Sequence, residues 1–140
     1  MVRLTRRYRF SASHRLHAAG LGVDVNRELY GKCNNPYGHG HNYVLDVTVE
    51  GPVEESTGRV CNLAALDELV TRYVLQDFDH RNINEDIPDF QSVVPTSENL
   101  TVAIEERLQR AWKSGFPEEW PRLSRIRLEE TKRNSFEHKP

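Results

Sequence analysis

Sulfur and net charge are both scarce in this chain. Only two cysteines, Cys33 and Cys61, occur in 140 residues. With no apolar run long enough to span a bilayer, and no apolar segment after the basic opening "MVRLTRRYRF", this points to a reducing, cytoplasmic setting. Nineteen basic and 21 acidic side chains leave a formal net charge of −2. That balance excludes a global field drawing the chain to nucleic acid or a membrane surface, so a small-molecule partner is expected. Internal repeats, low-complexity segments, linkers and a Gly-rich dinucleotide fingerprint are all missing. Residues 1–140 therefore read as a single domain, long enough to bury a core without a disulfide or a metal.

What is present is alternation followed by helical periodicity. Val2, Leu4, Tyr8, Phe10 and Ala12 recur at even positions, the period of a half-buried strand, and His14 continues that face. The Asn-, Gly- and Pro-rich segment "NRELYGKCNNPYGHG" reads as a loop. A second strand follows over residues 42–50, with Tyr43, Leu45, Val47 and Val49 on one face, and His39 and His41 share its parity. Leu63, Leu66, Val70, Tyr73 and Val74 then fall at helical spacing behind Asn62 as N-cap. "DHRNINEDIPDF" reads as a polar loop. Thr96 or Ser97 caps a second helix with a stripe of Leu100, Ala103, Ile104, Arg107, Leu108, Ala111 and Trp112. "RLSRIRLEET" predicts a third strand and "NSFEH" a short fourth. The order ββααββ gives an α+β domain, a four-stranded antiparallel sheet with two helices on one face. The other face and the open sheet edges call for further copies of the chain.

Chemistry concentrates in "CNNPYGHGHNY". Two histidines two apart on an incipient strand point to the same side and can chelate one ion. Antiparallel pairing brings His14 within reach as a third nitrogen. Cys33, among Lys32, Asn34 and Asn35, either completes a closed four-ligand site or remains a free thiol beside an open metal position; spacing leaves both readings standing. A zinc-stabilised binding module without turnover is the corresponding alternative to an enzyme. Asp79 beside His80 offers a base and its orienting partner. Glu130 puts a carboxylate on the inward parity of an apolar strand, where it needs a partner. Cys61, between apolar residues, reads as a small buried hydrophobe with no function.

Taken in order, "FSASHRL", "GKCNNPYGHGHNY", "DHRNI", "PTSENL" and "LEET" resemble the 6-pyruvoyl-tetrahydropterin synthase family of the tunnelling-fold group, from Phe10 to Thr131. The resemblance implies that His14, His39 and His41 bind zinc, that Cys33 is the catalytic base, and that Asp79 and His80 complete its triad across a subunit interface. It implies further that Glu130 with Thr131 anchors the pterin and that Glu98 lies nearby. The implied substrate is 7,8-dihydroneopterin triphosphate, which loses triphosphate as its side chain rearranges. The implied assembly is a hexamer, a dimer of trimeric barrels. A related 6-carboxy-tetrahydropterin synthase of the deazaguanine (queuosine) pathway is the nearest alternative. Five residues separate Cys33 from His39, a spacing that resembles the pyruvoyl-forming branch.

Overall fold

The alternating segment forms β1, Val2–His14, which runs antiparallel to β2, His39–Gly51. The computed structural model, which describes residues Met1–Pro140, pairs these two strands without a break, from Val2 opposite Gly51 to His14 opposite His39. Farther along the sheet, β2 pairs antiparallel with β4, Arg122–Glu129, across a bulge at Thr48 and Val49, and β4 pairs with β5, Ser135–His138.

The sheet has five strands in the order β3-β1-β2-β4-β5, not the expected four. The extra strand, β3, is only Arg81–Asn82 and lies parallel to Ala12 and Ser13. Two residues inside a polar stretch carry no alternation, so no period could reveal it. Two expected loops also carry structure. Val23–Tyr30 forms the helix α1, with a 3-10 turn at Gly31–Asn34 behind it. The polar stretch after β3 folds as α4, Ile83–Asp86, and a 3-10 turn at Pro88–Phe90. It buries Ile83, Ile87 and Phe90, apolar positions too widely spaced to resemble a long amphipathic helix.

Helical periodicity in the rest of the chain gives two long runs on one face of the sheet. The first is α2, Leu63–Val70, continuing through a π-helical stretch at Thr71–Leu75 into α3, Gln76–Phe78. The Asn62 side chain caps it by accepting from the Ala65 N–H at 3.1 Å. The second run is α5, Ser97–Gly115, where the Thr96 hydroxyl accepts from the Asn99 N–H at 3.2 Å. Leu66, Val70, Val74 and Phe78 from one run and Leu100, Ile104 and Leu108 from the other close over Tyr43, Leu45, Val47, Ile126 and Leu128. On the opposite face Asp46 is buried beneath Arg7 and Arg127, which bond it at 2.9 and 3.5 Å.

Arg107 departs from its apolar stripe for a physical reason. Its guanidinium, 13% exposed, binds Asp89 at 2.8 Å and also Asp77. It donates to the Tyr73 carbonyl at 3.1 Å as well, tying α5 to the first helical run. Its partnership holds the Asp89 carboxyl below the usual carboxylate range. A depressed folded-state pKa means that this stability is present at neutral pH and is lost as pH falls through the lowered value. Arg107→Ala should therefore cost about 2–3 kcal/mol in urea unfolding near pH 7, and the gap to the wild type should narrow at about pH 2.5. A gap that stays constant with pH would show that packing, not the ion pair, sets the cost.

Candidate active site

The site assembles at the β1–β2 end that the register fixes. Ala12 sits opposite His41, and Phe10 opposite Tyr43, whose rings stack at 4.9 Å and 18°. The small Ala12 side chain leaves space on the helix-covered face, and His14 reaches diagonally into it, a contact that neighbouring strands permit. The Nε2 atoms of His14 and His41 come within 3.1 Å.

The His14 tautomer follows from its other nitrogen. Its Nδ1 lies 2.8 Å from the Pro95 carbonyl oxygen, which can only accept, so Nδ1 carries the hydrogen and Nε2 presents a lone pair. Pro95 stands just ahead of the Thr96 cap, so the start of α5 orients a strand histidine. His14 is fully buried, and burial pushes its pKa down. Burial also lowers that of His41 against the opposing pull of Glu130. Neutral imidazoles whose ring nitrogens converge, with the second nitrogen of His14 fixed by Pro95, are suited to bind a metal.

Cys33 completes the cluster. Its Sγ lies 3.9 Å from His41 Nε2, and the ligand atoms of His14, Cys33 and His41 all fall within 4.8 Å of one another. The thiol is positioned from upstream. The Leu16 N–H donates to the Cys33 carbonyl at 2.7 Å, and the buried Asn34 side chain donates to the Leu16 carbonyl at 2.7 Å. Burial first, and then the negative charge of Glu130, raise the Cys33 pKa. Cys61 is remote from this cluster, and burial pushes its thiol up to about 11.

Not every expected residue joins. The His39 ring stands edge-on to His41 at 4.7 Å between centroids, yet the residue is exposed and its nitrogens lie outside the cluster. Glu130, just past β4, does join: its Oε1 lies 4.0 Å from His41 Nε2, and its Oε2 accepts a hydrogen bond from Ser97. Thr131 lies in the turn that follows, its hydroxyl accepting from the Arg133 and Asn134 N–H groups at 3.2 Å. Glu98 is exposed in the first turn of α5 and makes no bond to the cluster. Asp79 and His80 do not touch Cys33. Asp79 accepts from the Ser11 N–H at 2.9 Å, and His80 points outward, its side chain 82% exposed. His80 holds φ at 58°, a left-handed conformation that costs a non-glycine residue energy and often marks a functional position.

Sequence reasoning missed Ser97 and Tyr43 as site residues. Ser97 was one of two cap candidates, and its place in "PTSENL", one residue before Glu98, was the available signal. Tyr43 read as one more apolar position, although it shares the parity of His39 and His41. A cleft of about 830 Å³ lined by Val60, Cys61, Phe116 and Trp120 lies beyond the other end of β2 and gathers no histidines.

A thiol, two convergent imidazoles and a half-buried carboxylate gather at one end of an α+β sheet as a candidate metal-binding site. The chain belongs to the 6-pyruvoyl tetrahydropterin synthase family, which matches residues 3–140. A 6-pyruvoyl tetrahydrobiopterin synthase from Poecilia reticulata is 44% identical over 131 residues, covering 94% of this chain and 85% of that one. The solved structure of the Caenorhabditis elegans 6-pyruvoyl tetrahydropterin synthase superimposes with a TM-score of 0.88 at 40% identity, covering 99% of this chain and 95% of that one. A 6-carboxy-5,6,7,8-tetrahydropterin synthase from Rickettsia bellii is 32% identical over only 80 residues, 57% of this chain and 49% of that protein.

The turn ahead of β2 constrains the site further. Gly38 has φ +83°, and a Cβ there would stand 3.1 Å from the His14 carbonyl oxygen, whereas a Cβ on Gly40 would meet its nearest atom at 3.9 Å. Gly38→Ala should destabilise the chain by about 1–2 kcal/mol in urea titration, from strain plus crowding against His14. Gly40→Ala should cost clearly less; equal losses would remove the special role of the turn.

Proposed function

We propose that the chain is a zinc-dependent lyase that converts 7,8-dihydroneopterin triphosphate to 6-pyruvoyl-tetrahydropterin with release of triphosphate. The observation that carries this reading is the convergence of His14, His41, Cys33 and Glu130 at one end of the sheet. The similarity to pyruvoyl-forming relatives also runs over nearly the whole chain, while the matched carboxy-forming relative aligns over little more than half.

A zinc ion held by His14, His39 and His41 would supply Lewis-acid activation of the substrate's side-chain hydroxyls. The lone pair set by the Pro95 bond fits that role, and the edge-on His39 ring stands close enough to His41 to join it. Cys33 is the base that removes the carbon-bound proton. Its raised pKa makes an isolated thiol a poor base, so it needs a partner to favour the thiolate. His80, oriented by Asp79 at 3.6 Å, is that partner, supplied by a neighbouring copy. Its outward orientation within one chain supports this reading. So does the apolar patch of Val23, Val25 and Leu29 on α1, together with Leu21, which is left open to a partner surface. The assembly is a hexamer built from two trimeric barrels. The Glu130 carboxylate accepts parallel N–H bonds from the pterin's amidine-like edge, with Thr131 and Glu98 at the rim. The setting is cytoplasmic.

Incubation with dihydroneopterin triphosphate under anaerobic conditions, with mass analysis of the pterin product and parallel assay of triphosphate, tests the reaction. A pyruvoyl product from the wild type is expected. Cys33→Ala should lose turnover by about 100-fold or more while keeping one zinc ion per chain. Acetaldehyde with a 6-carboxy product would reassign the chain to the other branch, and loss of zinc from Cys33→Ala would make the thiol a ligand instead of the base.

The shared triad is tested by mixing. Cys33→Ala and His80→Ala homo-oligomers should each be inactive, and co-refolded mixtures should recover part of the wild-type rate, because some interfaces then pair an intact cysteine with an intact histidine. Verified mixed oligomers with no recovery would place both residues in one subunit's site.

A further inference from the structure

The Tyr43 hydroxyl is one of three buried side-chain polar atoms that find no hydrogen-bond partner in the chain. The residue is 0% exposed, and its ring is fixed by the stack on Phe10 and an edge contact with His41 at 5.6 Å. A buried O–H without a partner is destabilising, whereas phenylalanine would fill the same space without that penalty. The hydroxyl therefore works against folding unless something in the functioning protein engages it.

Its neighbours identify what that is. The hydroxyl lies near Ser97 and within the field of Glu130. A tyrosine hydroxyl is protonated at neutral pH, so it remains an O–H donor. Ser97, 2% exposed, gives its only hydroxyl hydrogen to Glu130 Oε2 and keeps lone pairs that can only accept. The Tyr43 hydrogen is the complementary donor.

We infer that Tyr43 is a positioning residue for the Glu130 carboxylate. Its O–H closes onto Ser97 Oγ and completes a chain Tyr43→Ser97→Glu130 when a ligand with an amidine-like N–H edge engages the carboxylate. The chain fixes the rotation of the carboxylate in the complex, so that both acceptor directions are held on the ligand, and successive hydroxyls polarise one another. The assignment rests on the reading of Glu130 as the pterin anchor. It adds the element that holds the anchor still.

Tyr43→Phe tests this, because it removes one oxygen and keeps the stacked ring. The probes are neopterin, which binds without turnover, and the matching lumazine, which lacks the 2-amino group. For Tyr43→Phe, the neopterin Kd should rise about tenfold and the lumazine Kd by about twofold or less. Against dihydroneopterin triphosphate, kcat/KM should fall by about tenfold, carried mainly by KM, with zinc content and urea stability at or above wild-type values. Ser97→Ala should behave alike, and the double variant should be no worse than the weaker single one, since both break the same chain. Three results would overturn the inference: neopterin affinity within about twofold of wild type in Tyr43→Phe, equal losses for the two pterins, or multiplied losses in the double variant. Absence of neopterin binding to the wild type would overturn it too. If the wild type forms no pyruvoyl product but neopterin affinity still depends on Tyr43, the proposed reaction fails and the positioning role stands.

Discussion

Because side chains alternate across a strand, sliding β1 by one residue against β2 would turn His14 and Phe10 to the opposite face from His41 and Tyr43. The 13 consecutive pairs between these strands therefore decide whether a site exists at all. The hydrophobic face holds the register in place, since Tyr43, Leu45, Val47 and Val49 must all enter the core together. Core burial and site assembly are the same event on the same two strands. The imidazoles continue the apolar rows to the end of the sheet, where the start of α5 meets His14.

That arrangement sets the electrostatics of the site. Residues placed at the end of an apolar row are partly desolvated, which keeps His14 and His41 neutral and the Cys33 thiol protonated in the isolated chain. Neutral nitrogens are ready for a cation, but a protonated thiol is not ready to act as a base. The missing element is a positive or proton-accepting group near the sulfur, and within one chain the candidate His80 is turned away in a strained conformation, its N–H donating to the Ser11 carbonyl while the Ser11 N–H donates to the Asp79 carboxylate. The isolated fold thus gathers a candidate metal-binding cluster, and in the proposed function the activation of its thiol falls to a neighbouring copy.

Most of the scaffold was legible in the sequence because it is periodic. β1, β2, β4 and both long helical runs came from alternation or helical spacing, and Asn62 and Thr96 were readable as caps by their side-chain chemistry. The two-residue β3 was not legible, because pairing to an existing edge needs only backbone groups and leaves no pattern in the side chains. Ile83, Ile87 and Phe90 were hidden for a related reason: three apolar residues dispersed among charges look solvated until tertiary structure supplies the surface they cover. Within the site, the histidines and Cys33 stood out by residue type and spacing, whereas Ser97 and Tyr43 are ordinary residues whose significance lies in how they face Glu130. His39 carried the same sequence signal as His41 and has a different environment in the fold, since strand parity sets a direction but not a depth.

Apart from the contact of its sulfur with His41 on β2, the bonds that hold Cys33 come from one side only. Leu16 and Asn34 fasten the thiol to the chain leaving β1, while the residues between Asn34 and His39 form a turn closed on itself by the Gly38 N–H bond to the Asn35 carbonyl. Mechanically, the turn is a slack tether and the Leu16 contact is the mooring. The number of residues between thiol and first histidine can then drift, by insertion or deletion, without carrying the sulfur with it. What must stay fixed for the sulfur to keep its place is the side-chain amide of Asn34.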